Sequence, residues 1–183
     1  VLNRCRSPQV SRMETTPYVI PALSRPPAMR PVVVGCGPAG LFAALTLARA
    51  GARPLLLERG GDGDSRRAAV EAFRRTGVLD TQNNVQFGEG GAGAFSDGKL
   101  NSGIKDPRSR LVLESFVAAG APPAILWQAK PHIGTDRLRP AVRRLREEIE
   151  ERGGEVRFFT TVTDCVLRDG ALAALRAVSG GKE

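Results

Sequence analysis

The spacing G-x-G-x-x-G at Gly35, Gly37 and Gly40 constrains this chain more than any other feature. It follows directly on Val32-Val33-Val34, a β-branched run of the kind that makes a buried parallel strand. Leu41, Ala44, Leu45 and Ala48 then recur at helical spacing, which predicts a helix from Pro38 to Ala50 stopped by Gly51. A second apolar run, Leu55-Leu56-Leu57, ends in Glu58. Strand, turn, helix and strand in this order predict an α/β fold, with a parallel sheet and helices on both faces.

Each glycine answers a physical need. Gly35 makes the tight strand-to-helix turn, Gly37 lets a pyrophosphate approach bare backbone, and Gly40 lets helix and strand pack closely. Pro38 suits the first helical turn, where its missing N–H would have no partner. The free amides of that turn face the phosphates. Glu58 stands 58 − 35 = 23 residues after the first glycine, near the roughly 20 expected of a carboxylate that grips a ribose diol. The same carboxylate repels a 2′-phosphate, which disfavours NADP in this pocket.

The residues GPAGLFAA and the ending Leu-Leu-Glu58-Arg59 resemble the FAD-binding motif of the glutathione-reductase-like flavoproteins. The resemblance implies a Rossmann-like FAD-binding domain. Its cofactor ligands would include Gly35, Gly37, Pro38, Ala39, Gly40, Glu58 and Arg59.

A second glycine-rich stretch, NNVQFGEGGAGAFSDGKLNS, runs from Asn83 to Ser102. So many small residues disfavour regular structure and let backbone lie against a flat ligand. In a flavoprotein this is the expected bed of the isoalloxazine ring, which adds Gly90, Gly91 and Ala92 to the candidate ligands. Lys99 is either a surface lysine or a cation that stabilises charge at the flavin N1–C2=O edge. This stretch, with Ile104-Lys105-Asp106-Pro107, GAPPAIL and KPHIGTD, resembles the bacterial family of uncharacterised FAD-dependent dehydrogenases, which are NAD(P)/FAD-dependent oxidoreductases. The likeness runs from about Tyr18 to the C-terminus. It departs at Ala94, where the family has Thr, and at Phe73, where it has Trp.

Between the two stretches, Ser65 is a candidate N-cap for a helix through about Thr76, stopped by Gly77, with Val70 and Phe73 as its apolar stripe. Arg66 and Arg67 stand at its start, unfavourably for the helix dipole. They are expected either to reach the cofactor phosphates, Arg67 being the chosen ligand, or to lie in solvent. Further on, Asp106-Pro107 opens a helix to Ala119, and a short helical piece ends near Trp127. His132, the single histidine, is either structural or the best candidate acid or base. Thr135 is expected to cap a helix from Asp136 to about Arg152, buried along Leu138, Val142, Leu145 and Ile149, with a bend or later start at Pro140. Its wet face offers the pairs Arg143–Glu147, Arg144–Glu148 and Glu148–Arg152.

Val156 to Val162 reads as the next parallel strand. By the resemblance, Val162 presents its backbone to the adenine; otherwise it is an ordinary strand-end residue. Cys165–Arg168 and Ala171–Val178 flank Asp169-Gly170 and predict a terminal β-hairpin. Residues 1–30, with Pro8, Pro17, Pro21, Pro26 and Pro27, read as an extended arm. The FAD-binding domain is then 31–183. The resemblance implies a protein more than twice as long, so the fold is expected to be incomplete and this piece to hold the ADP half of the site.

Composition narrows the partners. The chain has 183 residues, a net charge of +8 and 27 Lys+Arg, of which 23 are Arg. The arginines are spread along the chain, and aromatics are only 5%, which together disfavour a nucleic-acid surface. Cys5, Cys36 and Cys165 form no C-x-x-C pair, so neither a zinc site nor a disulfide framework is readable, and no metal is expected. No apolar run approaches a membrane span, and a reduced cytoplasmic setting follows by default. Three functions compete. The first is an FAD-dependent oxidoreductase acting on a small molecule, with NAD(P)H as a possible co-substrate. The second is a plain NAD-binding dehydrogenase domain, which has no need of the second glycine stretch. The third is a flavoprotein acting on RNA, suggested only by charge.

Overall fold

The computed structural model describes residues 17–180 except 101, 102 and 105. Three short strands, β1 (Val32–Val34), β2 (Leu55–Leu57) and β3 (Glu155–Arg157), form a parallel sheet in the order β1-β2-β3. Its registers are Val32 opposite Leu55 and Leu55 opposite Glu155. The helices are α1 (Pro38–Arg49), α2 (Gly63–Thr76), α3 (Arg108–Ala118) and α4 (Thr135–Glu151). Strands β4 (Thr160–Arg168) and β5 (Ala171–Ser179) make a separate antiparallel hairpin. The fold is therefore the mixed α/β, Rossmann-like arrangement expected of the fingerprint, with a hairpin at its end.

The core forms where the two helical stripes meet the sheet. Leu41, Ala44, Leu45 and Ala48 of α1 join Leu138, Val142, Leu145 and Ile149 of α4 and Leu56 of β2, all buried. Phe116 of α3 closes this cluster, edge-on to Phe42 with ring centroids 5.4 Å apart. Val33 packs against it, whereas Val32 and Val34, which alternate to the other face of β1, are 42% and 57% exposed. Among the described residues no helix is long and apolar enough to cross a membrane.

Several local expectations are corrected. Asp62, not Ser65, caps α2, its Oδ1 accepting the Ser65 amide at 2.9 Å, and Phe73 is 39% exposed. Thr135 is the first helical residue of α4 and caps nothing; Gly134 holds the N-cap position without a side-chain bond. α4 also runs through Pro140 without a later start. The wet face of α4 is partly turned inward. Arg143 pairs with Asp64 at 2.6 Å, and Glu148 accepts a two-pronged bond from Arg49 at 2.9 and 2.7 Å, keeping Arg152 at 2.8 Å. Arg49 also donates to Ser115 Oγ at 2.8 Å, so one guanidinium ties α1 to α3 and α4.

The run 156–162 is not one strand. β3 stops at Arg157, Phe159 takes a positive φ of 52°, and β4 starts at Thr160 in a different sheet. Val162 therefore lies inside the hairpin, opposite Ala177. Asp169 and Gly170 both have positive φ, 51° and 76°, as the two-residue turn that suits strand twist requires. The arm is tethered where it is described. The Leu23 amide donates to the Ala50 carbonyl at 2.9 Å, and Arg30 donates to Arg53 O at 2.9 Å and to Glu155 at 2.5 Å. Cys5 and Pro8 lie outside the described residues.

Candidate cofactor-binding site

The fingerprint glycines divide their work by geometry. Gly35 holds a φ of 93°, which makes the turn. A Cβ on Gly40 would stand 1.8 Å from the Gly35 carbonyl oxygen, so only glycine lets α1 sit on β1 here. A Cβ on Gly37 would meet nothing within 4 Å: the space above it is open. Gly37 is the N-cap of α1 and gives no side-chain bond, and Pro38 follows at the first position. The first intrahelical bond runs from the Leu41 amide to Gly37 O, which leaves the Ala39 and Gly40 amides for an anion. Pro38 and Ala39 are solvent-exposed. This open, amide-lined cradle fits a pyrophosphate.

Glu58 does more than the sequence suggests. It is only 5% exposed, and its carboxylate gathers three backbone amides. Oε2 accepts from Cys36 at 2.5 Å, and Oε1 accepts from Gly60 and Gly88, each at 2.8 Å. A carboxylate offers about four lone-pair sites, so room for one ribose hydroxyl is left beside the three amides. Glu58, Arg59 and Val162 line a crevice at the carboxyl ends of β1 and β2, together with Gly35 and Phe87. Ligands of open parallel sheets sit in such a crevice. The Arg59 guanidinium lies 4.5 Å over the Phe87 ring.

The second glycine stretch is stitched to the first. The Gly90 amide donates to Cys36 O at 2.8 Å. A Cβ on Gly91 would stand 3.1 Å from Pro38 Cδ and 3.3 Å from Gly37 Cα, and Gly91 has a φ of 62°. Gly90 and Gly91 are buried against the fingerprint, while Ala92 opens a 3-10 turn, Ala92–Phe95, at the surface. The two stretches thus form one continuous wall.

Two buried charged side chains, Glu89 and Arg66, missed in the sequence, hold that wall. Glu89 is 2% exposed, accepting from Arg146 at 2.7 Å on one oxygen and from the Gly63 amide at 2.7 Å on the other. Arg66, entirely buried, donates to the carbonyls of Asn84, Val85, Glu89 and Gly91. Burial pulls its guanidinium below the ordinary arginine value, against the opposing charges of Glu58, Cys36 and Glu89. Arg66 is therefore not the solvent or phosphate arginine expected of it. Arg67 is the exposed neighbour and borders a broad cleft flanked by α2 and α4. Cys36, wholly buried, has its thiol pushed up to about 12, chiefly by desolvation and then by Glu89.

Lys99 and His132 come together, 33 residues apart in sequence, as an antiparallel bridge. The Leu100 amide donates to Pro131 O at 2.9 Å and the Ile133 amide to Gly98 O at 3.0 Å. Residues directly opposite in such a pair share one side, and both are exposed. The Lys99 ammonium pairs with Asp97 at 3.1 Å. Among the described residues no cluster of three or more His, Cys, Asp or Glu suits a metal.

A βαβ unit with a bare helix N-terminus, an acid at the second strand's end and a glycine wall defines a dinucleotide-binding α/β domain. Comparison with known families makes this specific: the FAD binding domain family matches residues 29–179, and the chain belongs to that family. Its cofactor is FAD. An uncharacterized protein of Clostridium beijerinckii is 53% identical over 146 residues, covering 80% of this chain and 27% of that protein. The chain thus spans about a quarter of the length of this relative.

Proposed function

We propose that this chain forms the adenosine-diphosphate side of an FAD-dependent oxidoreductase of the glutathione-reductase-like class, related to the uncharacterised bacterial FAD-dependent dehydrogenases. The Ala39 and Gly40 amides bind the pyrophosphate, with Arg67 as its outer cation; Gly35 makes the turn, Gly37 leaves no side chain between phosphate and backbone, and Pro38 opens the helix. Glu58 takes a ribose hydroxyl, and Arg59 and Val162 border the adenine. Gly90, Gly91 and Ala92 line the flavin half. FAD bound there supplies hydride exchange at N5 with a small-molecule substrate or NAD(P)H. His132 and Lys99, side by side on their bridge, are the proposed proton and charge carriers. Free thiols and the lack of a membrane-spanning helix among the described residues support a cytoplasmic setting.

The observation that carries this reading is the seam between Gly90–Gly91 and Cys36–Pro38, because a nicotinamide domain has no use for a second glycine wall against its fingerprint. Nucleic acid is not among the proposed partners. Arg30, Arg49, Arg66, Arg143 and Arg146 are all spent on internal carbonyls or carboxylates. Flavin fluorescence tests the proposal. Added FAD should be quenched by the chain and should not be displaced by excess NAD; displacement by NAD would overturn the reading in favour of a nicotinamide domain.

A further inference from the structure

Arg66 sits in the first turn of α2, where a cation opposes the helix dipole, and it has lost all contact with water. Such a residue is retained only if its donors are used. Nε donates to Asn84 O at 3.1 Å, Nη2 to Val85 O at 2.7 Å and to Gly91 O at 2.9 Å, and Nη1 to Glu89 O. All four acceptors belong to one irregular segment, residues 84–91, which carries no strand or helix of its own. The guanidinium plane also lies 4.7 Å from the Phe95 ring centroid. The segment therefore wraps an arginine where a regular element would bond to itself.

The wrapping fixes which way the peptide units face. A trans peptide points its C=O and N–H in opposite directions. Drawing the Glu89 carbonyl inward to Arg66 turns the next amide, that of Gly90, outward, where it meets Cys36 O of the fingerprint at 2.8 Å. Gly91, whose carbonyl is held by the same guanidinium, lies close against Pro38 and Gly37. Gly88 completes the fit, since a Cβ there would stand 2.1 Å from Arg66 Cδ.

We infer that Arg66 is a positioning residue for FAD, one that touches no cofactor and sets the backbone of residues 84–91 against the dinucleotide fingerprint. Being wholly buried, it is out of reach of any ligand, so its effect on FAD passes through Glu89, Gly90 and Gly91. This inference rests on FAD lying at the fingerprint. Lysine keeps the charge and most of the volume, but its single ammonium cannot span four carbonyls in a plane.

The test compares the full chain with Arg66→Lys, reading FAD affinity by flavin fluorescence, the visible spectrum of the bound flavin, and the melting curve without FAD. The expected result is cooperative melting of the variant, FAD affinity lowered at least tenfold, and a shifted flavin band, which a purely structural residue would leave unmoved. Wild-type affinity with an unshifted spectrum in Arg66→Lys would overturn the inference. Where that variant does not melt cooperatively, amide exchange of the wild-type chain decides. FAD should slow exchange in residues 84–91 more than in α4, and equal exchange with and without FAD would overturn it. A wild-type chain without FAD affinity would overturn this inference together with the cofactor reading, whereas failure in Arg66→Lys alone leaves that reading standing.

Discussion

Gly88 donates its amide to Oε1 of Glu58 at 2.8 Å, across 30 residues of sequence. The carboxylate proposed to take a ribose hydroxyl is thus also the anchor of the second glycine stretch. Cys36 and Gly60 hang from the same side chain.

Glu58→Ala is accordingly expected to harm the fold as well as FAD binding. Three buried amides lose their acceptor, at about 1–3 kcal/mol each before relaxation. A lowered melting midpoint in the absence of FAD, together with weakened flavin retention, is the expected pair of results. Weak retention with an unchanged midpoint would show that Glu58 serves the ribose alone.

Two fingerprint glycines should behave differently. Gly40→Ala places a methyl 1.8 Å from Gly35 O and is expected to destabilise the chain with or without FAD, by about 3 kcal/mol or more. Gly37→Val projects into open space and should melt like wild type while losing FAD. Melting curves and flavin absorbance of the two purified variants check this; a destabilised Gly37→Val would contradict it.

The thiols differ in the same manner. Cys165 is exposed and Cys36 is buried, with its thiol pushed up to about 12. Iodoacetamide at pH 8 should alkylate Cys165 and spare Cys36, as read by peptide mass. The raised value also sets a sign. A thiol held neutral by the fold contributes stability in full below its ordinary value of 9.0 and loses it as pH climbs toward 12. Cys36→Ala should therefore flatten the alkaline fall in the melting midpoint.

Acid acts on the other interface. Hydrogen bonds from Arg49 hold the Glu148 carboxyl below its ordinary range. A lowered value contributes stability above pH 4.5 that disappears as pH falls through the folded value. Glu148→Gln should lose about 1 kcal/mol at pH 7 and correspondingly less at pH 3, measured by urea unfolding.

What the sequence revealed, and what it hid, follows from how each signal is written. The stripes of α1 and α4 are periodic and local, so every expected core position in them is buried. The turn Asp169-Gly170 announces itself by residue type. Arg66 and Arg67, by contrast, are adjacent and chemically identical, and only the packed molecule shows which one faces inward. The expected single strand from Val156 to Val162 is broken for a similar reason. Phe158-Phe159 continues an apolar run, and a positive φ at a phenylalanine leaves no mark in composition. The seam between Gly90 and Cys36 was invisible because it joins residues 54 positions apart, although both glycine stretches were legible on their own.

The sheet order carries a consequence for synthesis. β1 and β2 are paired by Val32 and Leu55, which leave the ribosome close together, but Leu55 waits 155 − 55 = 100 residues for Glu155. Loop-closure entropy makes the first pairing fast and the second late. The nascent chain therefore passes through an interval in which the phosphate cradle is already built and the sheet still has a bare side. During that interval Arg30 has no Glu155 to hold, and the arm rests on its contacts with Ala50 and Arg53. FAD present at that stage has a βαβ unit to bind before the third strand arrives, so cofactor supply during translation should raise the yield of folded chain.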